Sequence, residues 1–317
     1  MKVTALAGGI GAAKLLVGLA AVMPAEDITV IVNTGDDIEL YGLRICPDID
    51  TVIYTLAGIV NQETGWGIAG DTFEALKRLA EYGEPAWFNL GDRDLATHIY
   101  RTARLSDGWT LSRVTDHLRR SLGVSARVLP MTDDYAPTRV ETDEGEMHLQ
   151  EYFVRRRCEP RVRRVLLDQA EAAPAAPEVE DALRSADAVI VCPSNPMISI
   201  GPILAVGGVS QALRESRATV AAVTPIIGGR ALKGPAAEML RDLGHAVSAA
   251  GVAALYCDFV DLFVLDQTDA ALAPEIEKLG VRTLVTNTVM TSVKDKAGLA
   301  RIVLDSVTSG TAEGSGR

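Results

Sequence analysis

Short apolar runs, each followed by a glycine- or proline-rich connection and then a stretch of helical period, recur along this chain. Val3 to Leu6 is the first β-type run, Ala7-Gly8-Gly9-Ile10-Gly11 makes a tight loop, and Ala12 to Val22 reads as a helix. Ile28 to Val32 is a second strand, and a helix opening at Asp48 or Asp50 runs through Val52 to Ala57. Helices over Phe73 to Tyr82, Asp94 to Ser106 and Leu111 to Leu122 follow. From Ala126 to Leu167 the pattern turns extended: Arg127 to Leu129, Arg139 to Thr142, Met147 to Val154 and Val162 to Leu167 alternate about Gly145 and Pro160, predicting a mostly β insertion. Ala170 to Pro177 reads as a linker. The first rhythm then returns, with strands over Ala188 to Cys192, Thr219 to Thr224, Leu262 to Leu265 and Thr283 to Asn287. Helices end at Leu243, span Ala271 to Leu279, and close the chain over Asp295 to Val307.

Three of these strands end in Gly/Pro-punctuated loops: Gly8 to Gly11, Pro193-Ser194-Asn195-Pro196 and Pro225-Ile226-Ile227-Gly228. In a parallel sheet such loops meet along one edge, which is where open α/β sheets hold ligands. The predicted fold is α/β, a Rossmann-like, mostly parallel sheet with helices on both faces plus a smaller mixed α+β insertion. Residues 1–60 and 186–308 form the core of a single domain, about 61–185 the insertion, and 309–317 a flexible tail.

Composition narrows the function. A net charge of −11 argues against a nucleic-acid or anionic-membrane surface, so the partner is a small molecule. The four cysteines form no C-x-x-C pair and fit a reduced, cytoplasmic setting. No apolar run approaches the roughly 18 to 20 residues a membrane span needs. Lys14 and the glycines break the N-terminal apolar run, so strand, loop and helix is a better reading there than a signal peptide.

The candidate chemistry lies between Asn33 and Thr51, where Asp36, Asp37, Asp48 and Asp50 follow the second strand. Clustered carboxylates repel one another unless a cation or a donor-rich ligand compensates, and all-oxygen ligands favour Mg²⁺ over zinc. Asp37 and Asp48 are also ordinary residue types for a turn and an N-cap. Gly9 and Gly11 allow backbone N–H groups to approach an anion at a helix N-terminus, and Lys14, one turn on, either reaches a phosphate or is solvated. The loop is neither a Walker loop nor a full dinucleotide fingerprint, since Lys14 stands at the third glycine position and the second strand ends in Asn33 rather than an acid. Arg93, between Asp92 and Asp94, either joins a local ion pair or points into the site. Trp66 either stacks on a flat ligand or packs as a lid. The arginines at 155–157, 161, 163 and 164 read as a solvated face, and the four histidines show no metal-ligand spacing.

The ordered set Leu6-Ala7-Gly8-Gly9-Ile10-Gly11, Asn33-Thr34-Gly35-Asp36-Asp37, Pro47-Asp48-Ile49-Asp50-Thr51, Gly65-Trp66-Gly67, Leu90-Gly91-Asp92-Arg93-Asp94-Leu95-Ala96, Pro193-Ser194-Asn195-Pro196 and Pro225-Ile226-Ile227-Gly228 resembles the 2-phospho-L-lactate transferase family of deazaflavin coenzyme F420 biosynthesis, with its phosphoenolpyruvate-transferase members. The resemblance covers Met1 to about Asp266 and departs at Ala12, where the family commonly carries glycine. It implies a Mg²⁺-dependent phosphotransferase that moves a phospho-lactyl or phospho-enolpyruvyl group from a guanosine-diphospho donor to the ribityl hydroxyl of the deazaflavin Fo, releasing GMP. On this resemblance Asp50 and Arg93 contact Fo, and Asp50, with Asp48 beside it as a second catalytic candidate, orients or deprotonates the hydroxyl. The expectation is that Asp37 and Asp48 hold Mg²⁺, that Gly9, Gly11, Lys14, Arg93 and Lys233 face phosphate, that Ser194 and Asn195 contact nucleotide, and that the enzyme is a homodimer. A non-enzymatic nucleotide-sugar-binding regulator of a related family is the alternative. Tyr41-Gly42-Leu43 and Pro47-Asp48-Ile49-Asp50-Thr51 after the acidic loop favour the transferase over it. An NAD-linked oxidoreductase is demoted by the missing third glycine and ribose-binding acid.

Overall fold

Five-residue runs of small and β-branched side chains become strands here because both sheet faces are covered, so a strand can be apolar throughout. The computed structural model describes residues 1–309. Its central sheet comprises β1 (Val3–Ala7), β2 (Ile28–Val32), β3 (Arg127–Pro130), β4 (Ala188–Val191), β5 (Thr219–Val223), β6 (Leu262–Asp266) and β7 (Arg282–Thr286). All neighbouring pairs are parallel and the spatial order is β7-β6-β5-β4-β1-β2-β3. The chain winds outward from β1 in both directions, so β1 pairs with β2 on one side (Ala5 with Val30) and β4 on the other (Ala5 with Ile190). That reversal leaves a crevice at the carboxyl ends of β1, β2 and β4.

Alternate residues of each strand feed two separate cores. Val3, Ala5, Val30, Ile190 and Val264 face one side, where α1 (Gly9–Val22), α2 (Pro47–Leu56) and the C-terminal helix Val293–Ser309 pack. Leu6, Ile31, Val189, Val220 and Phe263 face the other, covered by the short helices Val179–Arg184, Val209–Glu215 and Ala249–Tyr256. Among the described residues no helix is long and apolar enough to cross a membrane.

Several sequence expectations need correction. Helix α1 begins at Gly9, so Gly9 and Gly11 lie in its first turn and only Gly8, its N-cap, stands ahead of it. Arg127 to Leu129, expected in the insertion, belongs to β3 and pairs with β2 (Val30 with Val128), because a strand's pattern fixes its burial and not its partner. Met147 to Val154 is a strand only at its start. Gly145–His148 pairs with Arg139–Thr142, and the chain then tightens into a π-helical turn, Glu151–Arg155, that buries Tyr152. Ala170 to Pro177 is no linker: it starts within the helix Asp168–Ala172, and Ala170, Ala173 and Ala176 enter the core, where small side chains let the backbone come close. The 309–317 tail lies outside the described residues from 310 onward.

Helix α1 and the C-terminal helix meet at Gly18, where a Cβ would stand 2.1 Å from the Lys296 carbonyl oxygen. Gly18→Ala is therefore expected to destabilise the fold by about 1–3 kcal/mol through overpacking. Gly298, on the facing helix with nothing within 4 Å of its missing Cβ, should instead stabilise by about 0.4–1 kcal/mol as Gly298→Ala. Urea midpoints at unchanged slope read both, and shifts of the same sign would contradict this packing.

Candidate functional site

Asn33 directly follows β2, and the four acids after it are separated by the local geometry of a turn, a hairpin and a helix start. The Asp37 N–H donates to the Thr34 carbonyl, closing the turn. A short hairpin, Ile38–Leu40 with Leu43–Ile45, then returns the chain to α2. Pro47 suits the first turn of that helix, and Asp48 and Asp50 sit at its positive end.

The acids then take three different environments. Asp37 is fully buried and turned away from the cavity: its Oδ2 accepts from Arg44 Nε and Nη2, both at 3.1 Å, and from the Cys46 thiol at 3.0 Å. Burial still raises its pKa to about 6 against the pull of Arg44. The metal role expected of Asp37 is not supported, because its compensating cation is already a guanidinium.

Asp36 and Asp48 face a cavity of about 320 Å³ and share one donor. The Asn33 side-chain amide nitrogen lies 2.7 Å from Asp36 Oδ1 and 2.9 Å from Asp48 Oδ2. The remaining oxygens accept from Gln150 Nε2 (3.1 Å, to Asp36) and the Gly9 N–H (2.7 Å, to Asp48). Burial raises the Asp48 pKa to about 6 in spite of these donors, and burial with repulsion from Asp48 lifts Asp36 well above the ordinary carboxyl range. The surrounding groups are neutral donors, so the pair retains a charge deficit that a hard divalent cation on its oxygens would relieve. The donor set therefore fits Mg²⁺.

Asp50 also lines the cavity, backed by a buried network on the helix α3 (Asp92–Ser106). Arg101, fully buried, pairs with Asp50 Oδ1 and donates to the Arg44 carbonyl. His98 lies between two carboxylates, with Nδ1 3.6 Å from Asp50 Oδ2 and Nε2 3.4 Å from Asp94 Oδ1. The Tyr54 hydroxyl donates to Asp94 at 2.7 Å. Burial raises the Asp50 pKa against the opposing Arg101 charge, whereas at Asp94 burial is outweighed by His98, Tyr54 and Arg101 and the pKa falls. No role for His98, Arg101 or Tyr54 was legible in the sequence, and Asp94 entered only as a helix start, as the neighbour of Arg93 and as part of a family motif. The spacing of Asp94, His98 and Arg101, at i, i+4 and i+7, was the available signal that they share a helix face. Asp50, Asp94 and His98 come close enough to hold a metal, but Arg101 already compensates Asp50.

The other expected residues divide. Gly9, Gly11, Lys14, Ser194, Asn195 and Lys233 line the cavity. Gly11 approaches the loop after β4 so closely that a Cβ would lie 2.3 Å from the Pro193 oxygen. The Gly9 N–H, expected to face phosphate, is taken by Asp48, and the Gly8 N–H donates to Ser194 Oγ at 3.3 Å. Ile10 and Gly11, in the first turn of α1, are the loop's remaining candidate anion donors. The Asn195 side chain caps Met197 N at 2.9 Å. Burial and the nearby Lys233 and Lys296 lower the Lys14 pKa, and Lys233 Nζ donates to the Thr64 carbonyl at 3.3 Å. Arg93 does not reach the cavity: it is exposed on the outer side of α3 and donates to the Ala69 carbonyl at 3.2 Å, while Asp94 takes the inner side. Ile10, Ile45, Tyr54, Trp66, Phe88 and Met290 give the cavity an apolar wall suited to a flat ring. Of the basic cluster, Arg155, Arg156, Arg161 and Arg164 pair with Glu151, Glu144, Asp242 and Glu141, and none of these four arginines lines the cavity.

Comparison with known proteins matches residues 3–291 to the family described as 2-phospho-L-lactate transferase CofD. The chain is 45% identical to the 2-phospho-L-lactate transferase of Methanothermobacter thermautotrophicus, over 96% of this chain and 98% of that one. It is equally 45% identical to the phosphoenolpyruvate transferase of Streptomyces griseus, with the same coverage. A crystal structure of a UPF0052-family protein from Bacillus halodurans shares the fold, with a TM-score of 0.67 at 17% identity over 96% of this chain and 98% of that one.

Two outcomes follow from the charge arrangement. Arg101→Met leaves Asp50 buried without its cation and is expected to cost about 3–5 kcal/mol in urea denaturation, the double variant with Asp50→Asn costing less than the two single losses together. Asp48 binds its proton more tightly in the folded chain, so its stabilising contribution is complete below the ordinary carboxyl value of 3.8 and lost as pH rises through about 6. Asp48→Asn should therefore gain stability relative to the parent chain across that window, and a flat difference would refute the shift.

Proposed function

The chain belongs to the 2-phospho-L-lactate transferase CofD family, and from that premise we propose that it transfers a 2-phospho-L-lactyl or phosphoenolpyruvyl group from a guanosine-diphospho donor to the ribityl hydroxyl of the deazaflavin Fo in coenzyme F420 biosynthesis. The observation that carries this reading is the juxtaposition, in one cavity, of the Asp36–Asp48 pair, Asp50 and an apolar wall. A diphosphate donor needs charge neutralisation and alignment more than covalent chemistry, and a flat acceptor needs an apolar seat. Mg²⁺ would be held by Asp36 and Asp48 and would supply neutralisation of the diphosphate.

The chain's own residues then divide the work. Asp50 orients the acceptor hydroxyl and takes its proton as the new phosphorus–oxygen bond forms and the bond to the GMP oxygen breaks. Arg101, touching no substrate, holds the Asp50 carboxylate in place from behind. Lys14 and Lys233, which line the cavity, would stabilise the charge released onto GMP. Ser194 and Asn195, after β4, are the proposed nucleotide contacts.

Incubating the protein with Fo, Mg²⁺ and each guanylylated acid, and following product mass and GMP together, tests the reaction and identifies the acid. Asp50→Asn is expected to lower kcat by roughly 100-fold or more. Turnover unchanged in that variant would remove Asp50 from the chemistry, and absence of GMP with every donor would reject the transfer itself.

A further inference from the structure

We propose that Asn33 is a positioning residue whose side-chain amide holds the Asp36 and Asp48 carboxylates together so that both face one bound cation. The proposal rests on the reading above that this pair seats the divalent ion. Asn33 directly follows β2 and is fully buried, with its backbone N–H donating to the Ala7 carbonyl at 3.0 Å. Its Oδ1 accepts the Gly35 N–H at 2.8 Å, which fixes which end of the amide carries the protons. The two protons on Nδ2 therefore serve three acceptors: Asp36 Oδ1 at 2.7 Å, Asp48 Oδ2 at 2.9 Å and the Ile198 carbonyl at 3.2 Å.

Among the described residues no other side chain donates to both carboxylates. Gln150 reaches only Asp36 and the Gly9 N–H only Asp48, so neither can set the spacing between the two. The chemical type of the donor matters as much as its place. A lysine or arginine here would neutralise the pair and compete with a cation, and an acid would add a third repelling charge. A neutral amide draws the two carboxylates together while leaving their charge uncompensated for the ion. This is the strand end at which a dinucleotide-binding sheet carries a ribose-binding acid. In this chain the same position supports one acid on the following turn, Asp36, and one in the first turn of α2, Asp48.

The test titrates Mn²⁺, a paramagnetic hard divalent ion, against the full chain, Asn33→Ser and Asp48→Asn, reading free ion by EPR and folding by thermal melting. Asn33→Ser is expected to bind Mn²⁺ about 10–100-fold more weakly, as for loss of a group that orients metal ligands. Affinity equal to the parent chain's would overturn the proposal. A crystal structure of Asn33→Ser without divalent ions gives a second readout, in which the Asp36 and Asp48 carboxylates are expected to separate, and unmoved carboxylates would overturn it. Asn33→Ala serves for both measurements where Asn33→Ser does not fold. If the parent chain binds no Mn²⁺, or Asp48→Asn binds it equally well, the metal-site reading fails, and the carboxylate positions alone then decide the role of Asn33.

Discussion

Negative charge buried at the end of the second strand is the constraint around which the site is arranged. Little water reaches these carboxylates, so each needs a partner or keeps its proton. Asp37 has Arg44 and Asp50 has Arg101, both within the protein. Asp36 and Asp48 have amides only, from Asn33, Gln150 and Gly9. Chemically similar side chains are thus paired with a guanidinium in two cases, Asp37 and Asp50, and held by neutral donors in the third. That difference comes from which neighbours the fold supplies.

The strand order makes this possible. Because β1 lies between β2 and β4, the loop after each of the three strands opens onto the same crevice, and residues as distant as Gly9, Asp48 and Ser194 become neighbours. The antiparallel unit built from Arg139–Thr142, Gly145–His148 and Val162–Leu166 reaches back to brace it. Gln150 Nε2 and the His148 ring both contact the Asp36–Asp37 backbone, at 3.2 and 3.1 Å. Gln150 immediately precedes a π-helical turn, and a second such turn, Pro196–Ile200, follows the β4 loop. Each widens the local backbone where side chains must face the cavity, a use of π turns found often at functional sites.

The network behind Asp50 links stability to the proposed chemistry. Arg101 is fully buried between α2 and α3, so the cation that holds Asp50 also ties the two helices together. Removing such a charge damages the fold and the site at once. Asn33 is a milder case: its loss removes hydrogen bonds to the acids without leaving a charge of its own behind.

The sequence alone determined the α/β class, the strand-ending loops and the acidic stretch, because these depend on local period, glycine and proline placement and the density of like charge. The ordered motifs brought the transferase family into view for the same reason: they are linear. It could not determine which acid faces the cavity, since Asp36 and Asp37 are adjacent and only the positions of Arg44 and Asn33 separate their roles. Nor could it place Arg93 outside and Asp94 inside, one residue apart on a helix start. The partnership of Asp50 with Arg101, 51 positions along, was likewise unreadable. Those decisions belong to tertiary structure, because the state of a buried charge depends on what surrounds it in space, and local pattern does not encode that.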